Sequence, residues 1–356
     1  MKTFFLGRMA IVDLSRGKTE YQTLPAEAAA KNDLSLLCRD FDDALIFASG
    51  QLSASLAPAA CVVTAYAKGQ TCLLTAHLAS ALKRTGLDAL VLQGTAETCA
   101  GLLLNGEETA LLPLDPNADS ASQGKALRVS THNSFPDDSD PVCLVTGMAA
   151  FQGAKAPALV QDVGIAPRSA MVAEWLACHN LCGIALAGTK PYPSPLPFDH
   201  PARTIAEPVA LTRESLSELL AFARAGSAKT SITIGRAIAC HACPAPCGFF
   251  LPEKSGFVAC TCPEALAALL AKGASQARVA EILRLSWRFG LDPLGLLALA
   301  DAPALPETLP QILSVACAEE EQTQDDLEEL GSLLGVCPFY LRRFPEVAKA
   351  LANFCA

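Results

Sequence analysis

The sequence predicts an α+β fold: a sheet-rich N-terminal base over residues 1–195 and a smaller helical part over residues 196–356. Three observations carry this. Short Val/Leu/Ile runs closed by Gly, Asn or Pro recur through the first half, the pattern of successive strands and turns. Five prolines then fall between Lys190 and Arg203, which marks an extended boundary segment. Beyond them apolar residues return at helical spacing between capping residues.

Taken in order, "MAIVDLSRGKTEYQTL" from Met9 is two extended runs around the turn "SRGK", a hairpin. "ALIFASG", "ACVVTAYA", "DALVLQG", "GLLLNGEETALLPL" and "PVCLVTG" each read as further strands. "LLTAHLASALKRTG" is the clearest helix among them, with Gly86 past its end. After the prolines, "TRESLSELLAFARAG" runs from a Thr212 cap to Gly226, with Leu216, Leu219, Leu220 and Ala223 on one face. "SQARVAEILRLSWRFG" runs from Ser275 to Gly290 with Val279, Ile282, Leu283 and Trp287 on one side. "DDLEELGSLLG" and "PFYLRRFPEVAKALANF" complete the helical part.

Of the 356 residues, 51% are hydrophobic and 18% charged, which leaves ample core and excludes a disordered chain. The net charge of -9 without a basic run argues against nucleic-acid binding, which needs clustered Lys and Arg. No uninterrupted apolar stretch reaches the length of a membrane span. The N-terminus lacks the apolar core of a signal peptide and already reads as strand and turn, so a cytoplasmic location is expected.

Fifteen cysteines in so large a chain then read as reduced thiols rather than a disulfide framework. Cys38, Cys61, Cys72, Cys99, Cys143, Cys178, Cys182, Cys317 and Cys355 stand singly among apolar residues and read as small buried hydrophobes. "CHACPAPCGFF" is different: Cys240, Cys243 and Cys247 form C-x2-C-x3-C in a loop shaped by Pro and Gly. A cubane iron–sulfur cluster needs four thiolates, and a short loop supplies three. Cys337 in "LLGVCPF" is the natural fourth, with Cys260 and Cys262 of "VACTCPEAL" as competitors. Zinc held by four cysteines is the alternative, although paired C-x2-C elements are missing.

These stretches, with "GRMAIVDLSRGKTEY", "FASGQLSASLAP", "LKRTGLDALVLQGTAE", "CPEALAALL", "WRFGLDPLGLLALA" and "LGSLLGVCPF", keep an order that resembles the aldehyde ferredoxin oxidoreductases, tungsten- or molybdenum-pterin enzymes. The resemblance is diffuse over residues 1–200 and sharper in two later blocks. It implies an N-terminal base of two β-sheets, helical domains above it, and a [4Fe-4S] cluster on Cys240, Cys243, Cys247 and Cys337. It also implies pterin contacts at Gly188, Lys190 and Asp292 and a role for Glu264 as catalytic carboxylate.

The departures point away from pterin chemistry. Members of that family are much longer, with the missing length falling between Ala300 and Cys337 and after Cys337. Where they carry Asn-Ala-Gly-Gly this chain has Leu73, Leu74, Thr75 and Ala76, and side chains there obstruct the approach of amides to phosphate. His179, Asn180 and Leu181 replace an Arg-Gly-Gly, Leu297 replaces a glycine of the motif around Asp292, and Ser332 replaces an aspartate. Asp292 before Pro293 also suits a helix start, and Glu264 after Pro263 a first-turn carboxylate. The histidines are His77, His132, His179, His200 and His241; none follows the cysteine loop, and His241 inside it reads as tuning a cluster by hydrogen bonding. The expectation is therefore a [4Fe-4S] electron-transfer or accessory protein, partnered by ferredoxin or another redox subunit in a homo- or hetero-oligomer. An active pterin-dependent aldehyde oxidoreductase with ferredoxin as acceptor and a zinc-stabilised scaffold are the two alternatives.

Overall fold

The computed structural model describes residues 5–31, 33–55, 59–138, 140–162, 164–190, 235–240, 243, 247–253, 256–315, 326–343, 345 and 349. The Pro-rich boundary, the helix expected over Thr212–Gly226, and His200, His241, Cys317 and Cys355 lie outside the described residues.

Two six-stranded mixed sheets make the N-terminal half, as expected. The first orders its strands β2-β1-β6-β3-β4-β5, from β1 (Arg8–Asp13), β2 (Lys18–Thr23), β3 (Leu45–Ser49), β4 (Val63–Ala67), β5 (Gln70–Leu74) and β6 (Ala89–Gln93). The second orders them β11-β10-β9-β12-β7-β8, from β7 (Ala100–Leu104), β8 (Thr109–Pro113), β9 (Val142–Val145), β10 (Leu159–Gln161), β11 (Gly164–Ala166) and β12 (Leu181–Leu186). Each sheet has one parallel pair, β1 with β6 and β7 with β12, and is otherwise antiparallel.

Alternation along the strands explains the continuous apolar runs. Ala10, Val12, Leu90 and Leu92 face a shared core with Leu102, Leu104, Ile184 and Leu186 of the other sheet. Met9, Ile11, Ala89 and Val91 face away, onto α1 (Ala26–Lys31) and the 3-10 turn Leu34–Arg39. Leu103, Cys143, Val145 and Ala185 likewise back onto Leu127 of α3 (Ser120–Ser134). Strands buried on both faces have no polar side to alternate with. Helices α2 (Leu78–Arg84) and α5 (Ala170–Cys178) also pack into the shared core, and α4 (Met148–Phe151) lies against α5. The α2 helix is shorter than its sequence pattern, because Leu73 and Leu74 end β5; Gly86 follows its C-cap at φ 79°.

The second part holds more than helices. A small antiparallel sheet, β13 (Ala237–Ile238), β14 (Gly248–Glu253) and β15 (Gly256–Cys260), packs with α6 (Pro263–Ala271), α7 (Gln276–Phe289), the 3-10 turn Leu294–Ala300 and α8 (Leu309–Val315) around its own core. Its strands are two to six residues long and flank the cysteine loop, too short to show a period. In α7 the Ser275 hydroxyl accepts from the Arg278 amide at 3.3 Å and Gly290 closes the helix at φ 70°. Val279, Ile282 and Leu283 are buried, but Trp287 is 37% exposed; Ser286 and Phe289 take the inward places.

Two seams join this part to the base. At one, Ala158 donates to the Gly290 carbonyl at 2.8 Å and Asp292 to that of Ala156 at 2.9 Å. At the other, α9 (Asp326–Leu334) delivers the turn before α10 (Pro338–Arg343) onto residues 50–62. No helix among the described residues is long and apolar enough to cross a membrane.

Candidate functional site

The second seam carries the candidate site. Gln51 and Leu52 donate backbone hydrogen bonds to the Leu333 and Leu334 carbonyls at 3.1 and 2.7 Å. Val62 donates to Gly335 at 3.1 Å, and Cys337 donates to Ala59 at 3.0 Å. The turn approaches so closely that a Cβ on Gly50 would lie 2.0 Å from the Gly335 nitrogen, and one on Gly335, at φ 73°, 2.0 Å from the Ser53 hydroxyl. Ser332, on α9, reaches the Thr64 hydroxyl at 2.8 Å and that of Tyr66 at 3.2 Å.

This sewing sets Cys337 beside Cys61. Both are buried, in one apolar cluster with Leu52, Val62, Leu334 and Val336, and Cys240 and Cys243 pack against it. The cysteine loop spans the tip between β13 and β14, where Ile238 pairs with Gly248 and Cys243 donates its amide to the Cys240 carbonyl at 3.2 Å. Cys240, Cys243 and Cys337 thus meet in one cluster with Cys61, which the sequence offered only as one more buried thiol, and Cys247 lies within reach of their charge.

Their electrostatics follow from the shared burial. Cys61 hydrogen-bonds with Cys240 and Cys337, and these bonds with burial push its thiol well up, so it stays protonated. Cys240 is pulled down to about 7 by the Cys61 thiol, against burial, with the Ala76 amide and the Thr75 hydroxyl donating to the same sulfur. Burial pushes Cys247 well up, helped by Cys337, Cys240 and Cys243. Among the described residues no group of three or more His, Cys, Asp or Glu is arranged to hold a metal ion.

Cys260 and Cys262 lie elsewhere. Cys260 belongs to the core of the second part and donates to the Cys262 carbonyl at 3.5 Å, while Cys262 neighbours Asp292 and Glu264. Cys178, expected to be buried, is exposed, and Cys38 and Cys99 are half-buried.

The other singled-out residues are engaged within the fold. The Asp292 carboxylate accepts from the Arg168 amide at 2.6 Å and the Leu294 amide at 2.9 Å, fixing the start of the 3-10 turn to the base. Glu264 pairs with the Arg168 guanidinium at 3.2 Å. Lys190 pairs with Glu107 at 2.7 Å, and Gly188 lies where a Cβ would meet the Arg84 carbonyl at 2.5 Å. His179 stacks on Trp175 at 3.8 Å and donates from Nδ1 to the Gly94 carbonyl at 2.7 Å. Asn180 donates to the Ala96 carbonyl at 2.8 Å. Ala76 and Asn180 both hold left-handed backbones, at φ 72° and 58°, a conformation glycine adopts without cost. Both stand where the resembling family has glycine.

No family model matches this sequence, and no curated protein matches it. Among solved structures, the chain is similar to the active-site complex BamBC of benzoyl coenzyme A reductase, solved in complex with 1,5-dienoyl-CoA. The likeness has a TM-score of 0.64 at 16% identity and covers 99% of this chain and 65% of that one. At that identity it is a likeness of fold alone, here two six-stranded sheets followed by a helical part.

Proposed function

We propose that this chain is a redox protein that holds a [4Fe-4S] cluster on Cys240, Cys243, Cys247 and Cys337 and serves as an electron-transfer or accessory component beside another redox subunit or ferredoxin. One observation supports the reading: the turn that carries Cys337, tied to the base by four backbone hydrogen bonds, lies in an apolar cluster against which Cys240 and Cys243 pack, with Cys247 within reach of their charge. The redox fold and the resemblance to the aldehyde ferredoxin oxidoreductases point the same way, and the similar structure is itself a complex.

A bound cluster supplies a site that takes up and gives back an electron. The chain's own part is to hold the thiolates, exclude water with Leu52, Val62, Leu334 and Val336, and direct the Thr75 hydroxyl and Ala76 amide at the Cys240 sulfur. Hydrogen bonds to the sulfurs and low solvent exposure are the levers by which a protein sets such a potential.

A tungsten- or molybdenum-pterin does not fit the same residues. The Thr75 and Ala76 donors face Cys240. His179, Asn180, Lys190 and Asp292 are each spent on partners within the chain. No step of aldehyde oxidation is therefore assigned to this chain.

Anaerobically purified protein tests the proposal. It should contain iron and acid-labile sulfide and be brown, with absorption near ~400 nm that bleaches with dithionite. Colourless protein with stoichiometric zinc overturns it.

A further inference from the structure

We propose that Cys99 and Cys182 are a redox modification site: a small-molecule disulfide such as oxidised glutathione converts their two thiols to an intrachain disulfide that locks β7 to β12.

The ladder between these strands carries the argument. Parallel pairing sets Ala100 beside Leu181 and Gly101 beside Gly183, so Cys182 is the extra residue of a bulge and Cys99 lies one step before the first pair. Strands about 4.8 Å apart, with a rise of about 3.3 Å per residue, put the two Cα atoms roughly 6 Å apart, within the range a disulfide spans. The sulfurs lean over each other's strands. The Cys99 thiol reaches the Asn180 side-chain oxygen, on the chain entering β12, at 3.9 Å. The Cys182 thiol reaches the Leu114 carbonyl at 3.9 Å. Leu114 lies beyond β7, where its amide donates to the Cys99 carbonyl at 3.0 Å. A side chain running from β12 to Leu114 therefore passes over the place of Cys99. The backbone of Cys182 is held from its other side, where the Thr146 amide donates to its carbonyl at 2.9 Å. Neither cysteine belongs to the apolar cluster that holds Cys337, so the inference stands apart from the iron–sulfur reading.

Exposure orders the chemistry. Cys99 is half-buried and Cys182 is buried, so the oxidant meets Cys99 first. The Cys99 thiolate attacks one sulfur of oxidised glutathione, whose S–S bond breaks, and one glutathione leaves with the Cys99 proton. Cys182 then attacks the Cys99 sulfur of the mixed disulfide, and the second glutathione leaves with the Cys182 proton. Two protein thiols have lost two electrons and two protons, and one oxidised glutathione has gained them.

Full-length protein, purified reduced and without oxygen, is incubated with oxidised glutathione, denatured, alkylated, digested and mapped by mass spectrometry. Wild type, Cys99→Ser and Cys182→Ala are compared. The wild type should yield a linked Cys99–Cys182 peptide, lighter by two hydrogens than the reduced pair and lost on treatment with dithiothreitol. Cys182→Ala should instead keep glutathione on Cys99, having no second thiol to displace it. Cys99→Ser should leave Cys182 alkylated. Oxidised wild type should also unfold at higher urea than reduced wild type, because the link closes a long loop of the unfolded chain, and neither variant should show that rise. The wild-type map decides the link even if a variant does not fold. Wild type that keeps glutathione on Cys99 beside a free Cys182 overturns the inference. So does wild type in which both thiols stay free after the exposed Cys178 has taken up glutathione, or in which either is linked to a different cysteine.

Discussion

The amide of Cys337 donates to the carbonyl of Ala59 at 3.0 Å, joining the turn before α10 to the base two residues from Cys61. The fourth proposed ligand is thereby placed by backbone geometry in a part of the sequence remote from the cysteine loop.

Cys337→Ser should release iron from anaerobically prepared protein, whereas Cys260→Ser and Cys262→Ser should not, because those two sit away from the seam. Iron and sulfide per chain decide it. Retention by Cys337→Ser with loss from Cys262→Ser would move the fourth ligand.

Gly50→Ala should loosen the seam, since the new methyl lands 2.0 Å from a backbone nitrogen that cannot swing aside. A cost of roughly 1–3 kcal/mol is expected from overpacking, read as a lower urea midpoint, together with weaker iron retention. Gly69→Ala, strained by a φ of 73° but with nothing within 4 Å of the added atom, should lower the midpoint and leave iron retention unchanged.

Lys83 and Asp88 form a fully buried ion pair. Burial pushes the Lys83 ammonium down and Asp88 opposes it. The carboxylate also accepts from the Gly7 amide at 2.6 Å, tying the N-terminal segment to β6. Lys83→Met should cost roughly 3–5 kcal/mol by leaving that carboxylate buried without its cation. Chemical denaturation measures this, and a loss under ~1 kcal/mol would place the pair in the range of an exposed one.

His77 precedes α2, and burial holds its ring below the usual value, with Asp162 opposing and Arg84 assisting. The folded state therefore keeps the ring neutral where the unfolded chain takes up a proton. Stability from this source is whole above about pH 6.5 and declines as pH falls below it. His77→Gln should flatten that acid limb of the urea midpoint; an unchanged limb would assign it to other groups.

Protein made in a host that supplies tungsten- or molybdenum-pterin should carry neither metal in stoichiometric amount. Elemental analysis and pterin fluorescence after oxidation check this. Near-stoichiometric metal with dye-linked aldehyde oxidation would restore the pterin-dependent enzyme.

The sheets were legible because strands such as Ala89–Gln93 are buried on both faces and bounded by Gly or Asp, so local pattern and tertiary role agree. The three-residue strands β10 and β11 were not, having too few residues to show a period, and β5 was not because its Leu73 and Leu74 run on into the apolar pattern of the helix that follows. In the site, C-x2-C-x3-C was visible because its residues are adjacent in sequence. The place of Cys61 beside Cys337 was not, because it comes from hydrogen bonds at Ala59 and Val62 to a turn near residue 335, and no local pattern encodes such a distant pairing. Trp287 was misplaced because helical spacing gives a face but not its edges.

The tie between residues 50–62 and 333–337 also has a consequence for synthesis. At about 5–20 residues per second a ribosome takes some tens of seconds to travel from one to the other, and the last strand of the base is made about halfway through. A nascent chain halted before Cys337 would present a hairpin of three cysteines and an open Cys61, with no turn to close over them. Iron retained by the protein would then report that translation has passed that turn, and chains cut short of it would emerge from the ribosome colourless.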